Sequence, residues 1–277
     1  MGPPVEPGMT EIAMSGQIYI GIGGWTFEPW RGVFYPEGLP QAKELEYASR
    51  QLTSIEINGT YYGSQSPETF AKWRNATPEG FVFSVKGSRF CTNRKVLAEG
   101  KESVERFVGS VLPLEDRLGP ILWQFAPTKK FDRDDFAAYL DNLPQTAGGR
   151  ALRHVVEVRH DSFRSPEFLA LLRERNIGLV YAEHFTYPEM ADVTADFVYA
   201  RLQKGSDDIE AAYPEDQLDA WAGRLKTWAA GGQPDDLPTA DPGHAPPKTP
   251  RDVFAYVIHE GKVRAPAAAK ALIGKVV

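Results

Sequence analysis

One cysteine, Cys91, stands among 277 residues, so the chain can form neither an internal disulfide nor a cysteine-built zinc site. That usage fits a reducing cytoplasm. No run approaches the roughly 18 apolar residues of a membrane span. The opening stretch MGPPVEPGMTEIAMSG lacks the basic cap and apolar core of a secretory signal, and Glu6 stands where a myristoylation motif needs Ser or Thr. Positive charge is also short: 31 Lys and Arg against 37 Asp and Glu leave a net charge of -6. Such a chain is poorly suited to gripping nucleic acid or an anionic membrane non-specifically. The expectation is a cytoplasmic protein with a flexible lead-in over residues 1–17 and one domain over 18–277.

What the sequence does have is a rhythm. Short apolar runs recur at 18–25, 54–58, 81–86, 121–125, 154–160, 178–184, 197–203 and 253–260, with helical patterns between them. Strands alternating with helices imply parallel strands joined by crossovers. Ser66-Pro67-Glu68 and Ser165-Pro166-Glu167 each place a capping serine before a proline at a helix start. The crossover through FTYPEMADVTA is short and irregular, and 231–251 is a Pro- and Gly-rich loop before the last strand. Eight strands in about 260 residues predict a single parallel (β/α)8 barrel of the TIM type, with a doubly wound open sheet as the alternative.

Alternation along a strand separates its two faces. Ile18, Ile20 and Ile22 oppose Tyr19, Gly21, Gly23 and Trp25. Likewise Ile55 and Ile57 oppose Ser54, Glu56 and Asn58, while Val156 and Val158 oppose Val155, Glu157 and Arg159. The apolar set should face helices and the mixed set the barrel interior. Polar members of that interior set crowd toward the C-terminal ends: Glu56, Asn58, Lys86, Gln124, Glu157, Arg159 and Arg201. Barrel active sites are built at that end. An ion-pair network that merely fills the barrel would carry the same pattern, but several buried charges suit recognition of a polar ligand better than stability.

Six segments, GWTFEPWRGVFYP (24–36), SIEINGTYY (54–62), FVFSVKGSRF (81–90), LGPILWQF (118–125), EVRHDSF (157–163) and TADFVYARL (194–202), resemble the YecE-like family of barrel proteins of unknown function. They keep the family's order and span nearly the whole chain from Ile18. The resemblance implies a TIM-type barrel with a polar mouth, and no reaction comes with it. Gly23 stands where the family usually carries Ser.

The chemical readings follow from residue types. GIGGWT lacks the third glycine and the following helix of a dinucleotide loop, so no nucleotide cofactor is expected. Glu56 and Glu157 are the candidates for general acid or base, and Lys86 for an electrostatic clamp or a Schiff-base nucleophile; a salt bridge from Lys86 to Glu56 is its structural alternative. Trp25, Asn58, Tyr62, Arg89, Gln124, Arg159, His160 and Arg201 are candidate ligand-binding residues, the arginines because their planar forks suit carboxylate or phosphate. A divalent metal stays open, with Glu56, Glu157, His160, Glu183 and His184 as raw material, although Arg159 among them would repel a cation. The expectation is an enzyme, a hydrolase or a lyase/isomerase, acting by acid–base chemistry on a small anionic or sugar-like ligand. A ligand-binding sensor without catalysis is the alternative, and nucleic-acid processing a weaker one.

Overall fold

A computed structural model describes residues 15–277. Eight parallel strands close on themselves: β1 (Ile18–Gly23), β2 (Ser54–Ile57), β3 (Val82–Lys86), β4 (Leu118–Gln124), β5 (His154–Glu157), β6 (Gly178–Glu183), β7 (Phe197–Lys204) and β8 (Asp252–Glu260). Sequential strands are neighbours, and β8 pairs back onto β1 from Ile18↔Val253 to Ile22↔Val257. That closing pair rules out the open sheet.

Helices α1 (Glu44–Gln51), α2 (Pro67–Asn75), α3 (Lys101–Val111), α4 (Arg133–Asp141), α5 (Pro166–Arg173), α6 (Glu215–Ala229) and α7 (Ala265–Val276) cover the outside. The β6–β7 crossover contains no helix, as its composition predicts. The Ser66 side chain caps α2 by accepting from Thr69 N at 3.3 Å. Ser165 makes no such side-chain bond; its backbone carbonyl accepts from Leu169 N instead.

Residues 1–14 of the expected lead-in lie outside the described residues. Its last two are already tied to the barrel, Gly16 N to the Ala229 carbonyl at 2.9 Å and Gln17 N to Asp252 Oδ1 at 3.0 Å. The 231–251 segment is without helix or strand. Its turns are pinned by Asp192, which accepts from Ala240 N and Asp241 N, and by Arg251 donating to the Gly231 and Gly232 carbonyls.

Two separate apolar cores follow the alternation. The larger holds Ile20, Ile22, Ile55, Ile57, Phe83, Val85, Trp123, Val156 and Leu202 beneath the helices. The smaller fills the barrel: Leu122, Val155, Val180, Ala182, Phe197, Tyr199, Phe254, Tyr256 and Ile258. Buried tyrosine hydroxyls must find partners in such an interior. Tyr256 Oη meets Ser54 Oγ and Tyr199 Oη meets Ser84 Oγ, each at 2.7 Å. Gly21 is required by the closeness of β1 to β2, since a Cβ there would lie 1.9 Å from the Ser54 carbonyl oxygen.

Candidate functional site

Above the tyrosine layer, toward the C-terminal ends, the interior turns ionic. Arg201 of β7 reaches Glu56 of β2 with Nε at 3.1 Å and Nη2 at 3.0 Å, and its Nη1 also bonds Glu157 of β5. Arg159, just beyond β5, donates to Glu157 at 2.6 Å and to Gln124 at 2.8 Å. Glu56 further accepts from Tyr199 Oη at 2.7 Å and from Asn58 Nδ2 at 2.9 Å. Both glutamates are 0 % exposed. Taking two carboxylates out of water costs several kcal/mol each unless donors satisfy them; here each oxygen has at least one.

Electrostatics follow the same contacts. Burial by itself would raise the Glu157 carboxyl, but Arg201, Arg159 and Lys86 outweigh it and hold the group at about 2. A carboxylate so pinned is a poor proton carrier near neutrality. Lys86 moves the other way. Burial, aided by the nearby Arg201, lowers its ammonium to about 8. Lys86 Nζ lies 4.6 Å over the Tyr61 ring. The sequence-level alternative of a Lys86–Glu56 salt bridge is not formed, because Arg201 occupies Glu56.

A cavity of about 320 Å³ sits on this cluster, lined by Asn58, Tyr62, Lys86, Arg201 and, less expectedly, Trp30 and Lys262. Trp30 Nε1 donates to the Lys262 carbonyl at 2.8 Å and so ties the loop after β1 to the loop after β8. Lys262 Nζ rests 4.1 Å over the Phe27 ring, and partial burial lowers its ammonium. No carboxylate among the described residues comes within ion-pair distance of Lys86 or Lys262. Sequence reasoning missed Lys262, although its place directly after the last strand, where barrels commonly hold phosphate, was a usable signal. Gly23 also lines the cavity; a Cβ there would meet Ile258 Cγ2 at 2.9 Å and Asn58 Nδ2 at 3.0 Å.

Other expectations fail on geometry. Trp25 does not wall the cavity. Gly24 adopts φ +74, which ends the alternation of β1, and the Trp25 ring packs edge-on against Trp73 of α2 at 4.9 Å. Arg89 is exposed on a single turn, Arg89–Thr92, with its guanidinium over Phe90. His160 closes a local turn, accepting from Ser162 N at 3.1 Å. Glu183 has the opposite parity from the interior residues Val180 and Ala182, and it accepts from Tyr213 Oη at 2.7 Å. His184 stacks on Tyr187 at 4.0 Å. The five metal candidates therefore do not converge, and among the described residues no three His, Cys, Asp or Glu side chains are placed to share an ion.

Comparison with known proteins matches this architecture. The chain is 29% identical over 149 residues to the protein YecE of Escherichia coli, covering 53% of this chain and 50% of that one. It is 29% identical over 173 residues to YunF of Bacillus subtilis, covering 60% and 57%. The chain thus aligns with little more than half the length of these curated relatives. A crystal structure of a DUF72 family protein from Thermotoga maritima superposes with a TM-score of 0.69 at 25% identity, covering 93% of this chain and 97% of that one. No helix among the described residues is long and apolar enough to cross a membrane. The profile described as "Protein of unknown function DUF72" matches residues 19–277, and the chain belongs to this YecE-like family of TIM barrels.

Proposed function

We propose that the mouth binds a small anion, a phosphate ester or a carboxylate, and that Lys86 is the group that acts on it. One observation carries this reading. Lys86 and Lys262 border the same cavity with no carboxylate ion-paired to either among the described residues, while the oxygens of Glu56 and Glu157 are already taken by Arg201, Arg159, Tyr199 and Asn58. Two unpaired cations in a partly dry site offer an anion what water would otherwise supply. Ala265, the first residue of α7, also borders the cavity and brings a helix N-terminus to it.

Within this reading Glu56 and Glu157 hold Arg201 in place rather than carry protons. Lys86, lowered to about 8, is the residue able to give and take a proton near neutrality. Hydrolase and lyase/isomerase chemistry fit such a group equally. The consumption of both glutamates favours a second reading, a ligand-binding barrel without turnover.

The test is calorimetric titration with sulfate, inorganic phosphate and ribose 5-phosphate. Saturable binding, weakened about tenfold in Lys86→Met and in Lys262→Met, supports the proposal; heat-silent titrations with all three anions remove it. Product formation from a phosphosugar and glycoside panel, lost in Lys86→Met but kept in Lys226→Ala, an exposed position on α6, separates the enzyme from the sensor.

A further inference from the structure

We propose that the anion taken at the mouth is a nucleotide phosphate whose base stacks on the aromatic side of the same barrel face. This rests on the anion-binding reading above and goes beyond it by naming the ligand's second half. A second cavity, about 450 Å³, opens beside the first and is lined by Gly63, Phe70, Phe90, Arg94, Arg106 and Phe107 among others. The two cavities share their loops. Tyr62 borders the mouth and Gly63 the second cavity, while Thr60 of the second cavity donates Oγ1 to the Lys86 carbonyl at 2.6 Å.

Two exposed aromatic rings stand on this side of the mouth, Tyr62 at 70% and Phe90 at 62%, on the neighbouring loops after β2 and β3, whereas Phe185 stands on the loop after β6, on the far side of the barrel. Exposed rings on adjoining loops offer a flat ligand a face to stack on. Charge is divided in the same sense. The loops after β2 to β5 (58–66, 87–100, 125–132 and 158–165) hold seven Lys and Arg against three Asp and Glu, in a chain whose net charge is -6. The loop after β7 (205–214) holds three acids and no base.

Rings flanked by cations match a base attached to a phosphate: the ring offers a stacking platform and the cations pair with the ester. A sugar phosphate would engage Lys86 and Lys262 and leave the rings idle. The stretch GIGGWT gives only Gly23 to the cavity wall and forms no phosphate loop, so the expected absence of a dinucleotide cofactor does not bear on this site.

The test compares AMP, ribose 5-phosphate and a 5′-phosphorylated hexathymidylate by calorimetry and fluorescence anisotropy. AMP should bind about tenfold more tightly than ribose 5-phosphate, the gain expected from one stacked base. Phe90→Ala should abolish that preference without changing ribose 5-phosphate affinity, and Phe90→Trp should keep it. Hexathymidylate binding tighter than AMP, and falling steeply between 50 and 200 mM salt, marks the source as a strand end; equal binding marks a free nucleotide. Equal affinity for AMP and ribose 5-phosphate overturns the inference and leaves the anion site standing. Loss of all binding, inorganic phosphate included, overturns both.

Discussion

Arg201 grips Glu56 from across the barrel with two parallel hydrogen bonds, Nε to Oε2 at 3.1 Å and Nη2 to Oε1 at 3.0 Å. A fork-on-fork pair of this kind fixes both groups in direction as well as distance. Its third arm reaches Glu157, which Arg159 also pairs, so two guanidiniums together balance two carboxylates buried away from water.

Arg201→Met should therefore be costly. It strands Glu56 and Glu157, and breaking a buried ion pair from one side typically costs about 3–5 kcal/mol. Urea unfolding monitored by tryptophan fluorescence measures it. A loss under about 1 kcal/mol would show that the cluster is hydrated rather than dry.

Acid should weaken the fold through His154. Burial lowers its ring to about 4, with Nδ1 accepting from Trp123 Nε1 at 3.1 Å and Nε2 facing the Pro144 carbonyl at 2.8 Å. The unfolded chain takes up this proton near 6.5 and the folded one only near 4. Stability is thus complete above about 6.5 and falls by up to about 3 kcal/mol as the pH drops to 4. The pH dependence of urea midpoints for wild type and His154→Asn checks this, because the variant should lose that slope.

Glu157 adds a second, lower window. Its carboxyl is held at about 2 against an ordinary value of 4.5, so what it contributes is intact above 4.5 and lost as the pH falls toward 2. In Glu157→Gln, unfolding midpoints between pH 4.5 and 3 should flatten relative to the parent; an unchanged slope would contradict the pairing with Arg201 and Arg159.

Anion binding should fade in alkali. Sulfate keeps its charge above neutrality, so a rise in its Kd as the pH passes about 8 reports the loss of the Lys86 proton. Lys86→Met should bind weakly at every pH from 6 to 10. If the alkaline loss persists in that variant, another group is responsible.

Gly21→Ala should strain the barrel wall. The added Cβ would meet the Ser54 carbonyl oxygen at 1.9 Å, and strand backbones cannot yield as a flexible side chain can. Overpacking of this kind costs about 3 kcal/mol, read as a lower thermal midpoint.

Much of the fold was legible because it is written in local periodicities. Alternation in HVVEVRH assigned Val156 to the helices and Val155, Glu157 and Arg159 to the interior, and the two apolar cores divide along that line. Parity stops where strands stop. Trp25 lies two residues past the end of β1, beyond Gly24 at φ +74, and turns to α2, leaving Trp30 to border the cavity. Glu183 kept its parity, and applying that rule to β6 would have removed it from the metal candidates.

The sequence by itself determined the strand rhythm, the inward polar gradient and the family, since each depends on residues only a few positions apart. Tertiary structure alone decided which charges meet. Arg201 pairs with Glu56 at a separation of 145 residues and with Glu157 at 44, leaving Lys86 and Lys262 beside one cavity with no ion pair among the described residues. The same closure sorted a net-negative chain into a basic, aromatic sector and an acidic one. Net charge sums over the whole molecule, whereas a ligand meets only the groups within about a Debye length of where it sits.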